Sequence, residues 1–195
     1  MKSFKSIAWL AALVLLAGAL VFFNLPENTS AEGGAQTKDG NAQPIAFDDG
    51  MPYGYEVGQR VEDFVLPTVY GGEWKLSEHW GKVTVINLWA TWCTPCVNEL
   101  PYFESLYAQN GEQLGMLAIH SDLVTDDVKA YLDKKTYTLP FAVDESGEVI
   151  KKLGGSTMLP QTIVLNEKGV VTYNKVGSVT EEKLRLLIEE AGGID

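Results

Sequence analysis

An α/β sandwich built around a mixed central β-sheet is the fold predicted for this chain, and three features of its sequence predict it. Residues 83–90, VTVINLWA, are a near-continuous apolar run with β-branched residues, as a strand buried on both faces requires. Stretches with helical and strand periods then alternate as far as residue 143. Two short strand-like runs joined by turn residues follow, and a last amphipathic helix closes the pattern.

The amino-terminal part precedes this pattern. Lys2 and Lys5 are followed by a run from Ile7 to Phe23 without a charged residue. Lysines ahead of an apolar run hold the amino end in the cytoplasm and send the remainder across the membrane. The run is longer than a signal-peptide core, roughly 7 to 15 residues, and slightly shorter than the roughly 20 that span a bilayer comfortably. Residues 1–25 are therefore a membrane anchor or a signal segment. Length favours a retained anchor, with the domain held at the extracytoplasmic face of the membrane. A weak small-residue site at Thr29-Ser30-Ala31 leaves a cleaved, secreted form open. No cysteine follows the run, which excludes lipoprotein attachment there. Residues 26–55 are rich in Gly, Pro, Asn, Asp and Gln, lack a sustained apolar period, and are expected to be a flexible linker. Residues 56–195 suit one globular domain.

The whole chain of 195 residues carries a formal charge of −11. Without Lys2, Lys5 and Glu27, 13 basic and 25 acidic residues remain, a charge of −12. Such a surface repels phosphate backbones, so no nucleic-acid partner is expected.

Within the domain, the strand 83–90 is followed by Leu100, Phe103, Leu106 and Tyr107 at spacings of three and four, a helix with one buried face, bent or restarted near Pro101. LGMLAIH (114–120) is a second strand. Thr125 is expected to cap a helix with Asp126 and Asp127 in its first turn and Val128, Tyr131 and Leu132 inward. Phe141 to Val143 is a short strand. QTIVL (161–165), the turn residues 166–169 and VVTYNKV (170–176) form a hairpin. Thr180 opens a final helix with Leu184, Leu187, Ile188 and Ala191 inward and Gly192 beyond its end.

Both cysteines of the chain, Cys93 and Cys96, fall directly after the central strand, in WATWCTPCVNELP (89–101). A disulfide between them closes almost no loop and is a poor staple. A redox-active dithiol, half of a metal site and chance adjacency remain. A four-ligand zinc site needs two more Cys or His, and the chain offers only His79 and His120, far apart and without ligand spacing. His79 is expected at the surface, and neither histidine is given a role. At a strand-to-helix junction Cys93 meets free N–H groups and the positive end of the helix dipole, which favour its thiolate and make it the attacking sulfur. Cys96, one turn further in, is placed to resolve a mixed disulfide. Between them Thr94-Pro95 contributes one fixed φ and one missing N–H, which hold the turn.

WCxxC after an apolar strand, Pro101 in the next helix and Leu159-Pro160 just before a strand together resemble the thioredoxin superfamily. The longer pattern N-L-W-A-T-W-C-x-x-C-x-x-E-x-P, the amino-terminal apolar segment and the long Cys96-to-Pro160 interval resemble its membrane-tethered TlpA/ResA-like (DsbE-related) branch. The resemblance covers roughly Val57 to Ala191. It implies a thioredoxin-like three-layer sandwich, a central mixed β-sheet flanked by helices, with an extra strand and helix inserted between the CxxC helix and a cis proline. It further implies that Pro160 is cis and faces the dithiol, and that Leu159 helps to hold the substrate chain. Thioredoxin places a buried Asp six residues before its first Cys. This chain has Asn87 there, which cannot act as a base. Glu99, three residues after Cys96, matches the branch's active-site glutamate and is assigned proton transfer for Cys96. Trp89 is expected in the core, whereas Trp92 abuts the nucleophile and is a candidate for an apolar lip where substrate docks.

The expected function is thus an extracytoplasmic thiol-disulfide oxidoreductase that reduces partner disulfides with the redox-active pair Cys93–Cys96 and no other cofactor. As the resemblance has it, a membrane thiol donor of the CcdA/DsbD kind supplies electrons. The clients are disulfide-containing proteins such as apocytochrome c or methionine sulfoxide reductase, and the chain acts as a monomer. A disulfide-forming oxidant of the same fold is the alternative. A peroxiredoxin-like peroxidase fits less well, because Ala90 stands where the threonine three residues before the nucleophile belongs. A copper-handling thioredoxin-like module is the lesser alternative, since its relatives use CxxxC with a distal histidine.

Overall fold

The computed structural model describes residues 47, 49–121 and 125–194. The apolar segment 7–23, the Thr29-Ser30-Ala31 site and residues 26–46 of the linker lie outside the described residues, as do the side chains of Thr125 and Asp126.

Strands β1 (Val65–Pro67) and β2 (Glu73–Lys75) pair antiparallel, and a 3₁₀ turn, Leu76–His79, leads into the central strand β3 (Val83–Trp89). Helix α1 (Thr94–Asn110), β4 (Leu114–His120), α2 (Thr125–Leu132), β5 (Phe141–Val143), the short α3 (Glu148–Lys152), β6 (Gln161–Leu165), β7 (Val171–Val176) and α4 (Glu181–Glu190) follow. Five strands form the main sheet in the order β5-β4-β3-β6-β7. β3 runs parallel to β4, and β4 to β5, while β6 is antiparallel to both β3 and β7. The interval between α1 and Pro160 thus holds two strands and two helices.

The continuous apolar run of β3 has its cause in this position. All seven of its residues are buried, because a separate core packs on each face of the sheet. One core gathers Leu100, Phe103 and Leu106 of α1, Val128 and Leu132 of α2 and Leu184, Leu187 and Ile188 of α4. The other gathers Leu66 and Trp74 of the β1–β2 hairpin with Val149 and Leu153 around α3. Sheet and two covering layers make the three-layer sandwich.

Several expectations change. Helix α1 runs through Pro101 as one assigned helix rather than restarting, its Leu100, Phe103 and Leu106 anchored in the core on either side of the proline. The β1–β2 hairpin and α3 escape the sequence patterns, because three-residue strands and a five-residue helix are shorter than the windows that reveal a period. His79 is not a surface residue. It is half-buried, its ring stacked on Trp74 at 4.4 Å, and burial lowers its proton affinity. Phe47 and residues 49–55, at the end of the stretch expected to be linker, make defined contacts: Phe47 packs edge-on to Trp80, Asp49 pairs with Arg60 and the Tyr55 carbonyl accepts from Asn174.

Candidate active site

The site grows from the carboxyl end of β3. Trp89, wholly buried among His120, Tyr131 and Phe141, fixes that end of the strand. The backbone then turns out of the sheet: Cys93 N donates to Ala90 O, and Thr91 N donates to Nε2 of the buried His120 at 3.1 Å. His120 therefore braces the turn that presents the cysteines. Sequence reading gave it no role, since a single histidine at the end of a strand carries no pattern.

Cys93 is the N-cap of α1, with extended backbone (φ −84°, ψ 94°), and its Sγ accepts from Cys96 N at 3.3 Å. Thr94 and Pro95 occupy the first two helical positions, where a missing N–H costs the helix nothing, and both are exposed. The two cysteines are joined as a disulfide across a Cα separation of 5.3 Å, so the structure shows the oxidised form. Cys93 is 5% exposed and Cys96 not at all, which leaves Cys93 as the sulfur that an incoming partner reaches. The amino end of a seventeen-residue helix also lowers the energy of a thiolate at Cys93.

Glu99, one turn beyond Cys96 on the same helix, is 1% exposed. Its Oε1 accepts from Asn87 Nδ2 at 2.8 Å and its Oε2 from Val179 N at 3.0 Å. Burial pushes its proton affinity up, the two hydrogen bonds pull it back in part, and the carboxyl is left at about 7 against an ordinary 4.5. Asn87 therefore does not replace the strand carboxylate of thioredoxin as a base. It holds a carboxyl delivered to the same neighbourhood by the helix. The Val179 contribution was invisible to sequence reading because a backbone donor carries no residue signature.

Leu159–Pro160 is a cis peptide bond. The register that sets Leu88 opposite Gln161 places Pro160 beside the end of β3, from which the Cys93 turn departs. Pro160 is buried, its carbonyl accepts from Gly177 N, and Leu159 packs against the apolar cluster that contains both cysteines. Trp92 and Met158 are each 64% exposed, the two most exposed of the large apolar residues next to these site segments. The structure thus gathers Cys93, Cys96, Glu99, Leu159 and Pro160 and leaves Trp92, Thr94 and Pro95 on the outer surface around them. Among the described residues no group of three or more His, Cys, Asp or Glu is arranged to hold a metal ion.

A dithiol at a helix amino end, with a near-neutral carboxyl one turn away and a cis proline alongside, can exchange electrons and protons with another disulfide. The sequence profile of the family described as Redoxin matches residues 56–188, which span this whole arrangement. The chain belongs to the redoxin family. This redoxin is 32% identical over 134 residues to the thioredoxin-like protein YneN of Bacillus subtilis, covering 67% of this chain and 78% of that one. It is 32% identical over 130 residues to the thiol-disulfide oxidoreductase ResA of Bacillus thuringiensis subsp. konkukian, covering 66% and 75%. Among solved structures, StoA from Bacillus subtilis superposes with a TM-score of 0.58 at 27% identity, over 65% of this chain and 96% of that one. This redoxin is a thiol-disulfide oxidoreductase of the thioredoxin-like, ResA-related branch, and disulfide-containing proteins are its clients.

Proposed function

We propose that the protein works outside the cytoplasm, tethered by residues 1–25, as a monomeric reductase of client disulfides. The Glu99 carboxyl carries the reading. A reductase starts each cycle as a dithiol and must strip a proton from its buried resolving thiol, and a carboxyl at about 7, one turn from Cys96, suits that task at neutral pH.

The proposed cycle has three steps. The Cys93 thiolate attacks one sulfur of the client disulfide, forming a Cys93–client disulfide and expelling the client's other sulfur as a thiolate. Glu99 takes the Cys96 proton. The Cys96 thiolate then attacks Cys93 Sγ, closing the internal disulfide and releasing the second client sulfur. Two electrons pass to the client, and the internal disulfide must be reduced again before the next turn.

Outside the cytoplasm that recharge calls for a donor in the membrane, of the CcdA/DsbD kind, and the proposed clients are proteins such as apocytochrome c or methionine sulfoxide reductase. The acidic surface favours basic or neutral clients by steering. Exposed Trp92, with Leu159 and Pro160, forms the client-facing lip, and Thr94-Pro95 keeps the turn between the sulfurs in shape.

Equilibration of the Cys93–Cys96 pair against glutathione or dithiothreitol buffers tests the direction. A potential near or below about −270 mV is expected, whereas one near about −120 mV identifies a disulfide-forming oxidant and overturns it. Glu99→Gln is expected to slow resolution of the mixed disulfide and to remove the near-neutral step from its pH profile. An unchanged profile removes Glu99 from the mechanism.

A further inference from the structure

A buried carboxyl that gains and loses a proton poses a hydrogen-bonding problem, and the neighbours of Glu99 solve it in one state only. As a carboxylate it accepts from Asn87 Nδ2 and Val179 N. As an acid it must donate, and the Val179 N–H cannot accept. The acceptor at hand is the other end of the same amide. Asn87 Oδ1 is buried and has no hydrogen-bond partner among the described residues.

Directly across the antiparallel ladder, Thr162 is the Cα partner of Asn87. Facing residues of two paired strands project from the same side of the sheet, with Cβ atoms about 4.5 to 5.5 Å apart. Thr162 is fully buried, and its Oγ1 also lacks a partner among the described residues. Buried polar atoms left without partners are uncommon and costly. Here two of them sit on facing residues beside one carboxyl that changes its charge.

We propose that Asn87 and Thr162 are positioning residues that let Glu99 take up a proton without stranding a buried N–H group. A half-turn of the Asn87 amide presents Nδ2 to the carboxylate or Oδ1 to the acid. The Thr162 hydroxyl, unpaired while Nδ2 faces the carboxylate, is placed to accept from the NH₂ group once the amide has turned. Glu99 is held by Asn87 from β3 and Val179 from the turn before α4, with Cys96 one turn earlier on its own helix. Burial and the two hydrogen bonds set its proton affinity. The inference rests on Glu99 exchanging a proton with the dithiol during turnover.

Nuclear magnetic resonance of the oxidised protein tests it without turnover. The carboxyl carbon of Glu99 reports its titration, with a midpoint near pH 7, and the side-chain amide signals of Asn87 are expected to move with the same midpoint. Thr162→Val strands the Asn87 NH₂ group when Glu99 is an acid, but removes no hydrogen bond when it is a carboxylate, since Asn87 Oδ1 and Thr162 Oγ1 are unpaired there already. The midpoint is therefore expected to fall by about one pH unit, a tenfold loss of proton affinity, and Thr162→Ser to restore it. Amide signals that ignore the titration overturn the proposal, as does a Thr162→Val midpoint equal to the parent's. Where Thr162→Val does not fold, the Asn87 signals of the parent protein decide alone. The turnover profile of Glu99→Gln tests proton transfer separately, and its failure leaves a coupled titration standing, so the two ideas fail differently.

Discussion

Burial of Glu99 trades fold stability against a carboxyl that titrates near neutral pH. Its carboxyl sits at about 7 in the fold against 4.5 in the unfolded chain. A group whose folded value is raised stabilises the fold fully below the unfolded value, and that stability drains away as pH rises to the folded value. The window here runs from about pH 4.5 to about pH 7. Glu99→Gln removes the titration, so its stability relative to the parent is expected to climb through that window and level off above pH 7. The pH-dependent part of the gain is about 3 kcal/mol, as a shift of this size implies. Denaturant unfolding at several pH values measures it, and parallel curves for the two proteins would show that Glu99 is charged at no cost. The same residue marks a limit of sequence reading. Its spacing from Cys96 suggested a role, but the burial that tunes it depends on Asn87 and on the turn before α4, 12 and 80 residues away in the chain.

At the scale of elements, α4 does more than cover the sheet. Thr180 is its N-cap, with Oγ1 accepting from Lys183 N at 3.2 Å, and the residue before the cap supplies the Val179 N–H to Glu99. Gly177 N, two residues earlier, donates to Pro160 O. One short turn therefore ties the Glu99 carboxyl to the cis proline. Thr180→Ala is expected to cost about 1 kcal/mol of stability and, by loosening Val179, to raise the Glu99 midpoint. A loss of stability with an unmoved midpoint would show that the Gly177–Pro160 bond alone fixes the turn. Long elements with a clear period were legible in the sequence: β3, β4, α1, the β6–β7 hairpin and α4, with Thr180 as cap. What stayed hidden was set by tertiary contact. The three-residue strands β1 and β2 are too short to show a period, and His79 looks like a surface residue until Trp74 of β2 is packed against its ring.

For the molecule as a whole, the decisive arrangement is where the chain enters the domain. Arg60 is 1% exposed, yet charged, and it is fully engaged. Its Nε donates to Lys168 O in the β6–β7 turn at 2.9 Å, its two terminal nitrogens reach the Asp49 oxygens at 2.9 and 2.8 Å, and its guanidinium lies 4.1 Å from the centre of the Phe47 ring. Because β6 runs antiparallel to β3, that turn lies at the beginning of β3, and Cys93 follows its other end. The clamp and the dithiol are separated by the length of the seven-residue central strand, about 23 Å. A defect in the clamp should therefore lower stability and leave disulfide exchange intact. Asp49→Asn is the clean test, since it keeps the shape and removes the charge that Arg60 needs. The Arg60 hydrogen bonds hold the Asp49 carboxyl at about 2, below its ordinary 3.8, so its contribution is present above pH 3.8 and is lost as pH falls towards 2. The melting temperature of Asp49→Asn is expected to lie below the parent's from neutral pH to about pH 4, and the gap to close by about pH 2. The rate of client reduction at neutral pH and moderate temperature is expected to match the parent's. A gap that persists at pH 2 would mean that the pair acts through shape rather than charge, and a slower rate would mean that the two ends of β3 are not independent.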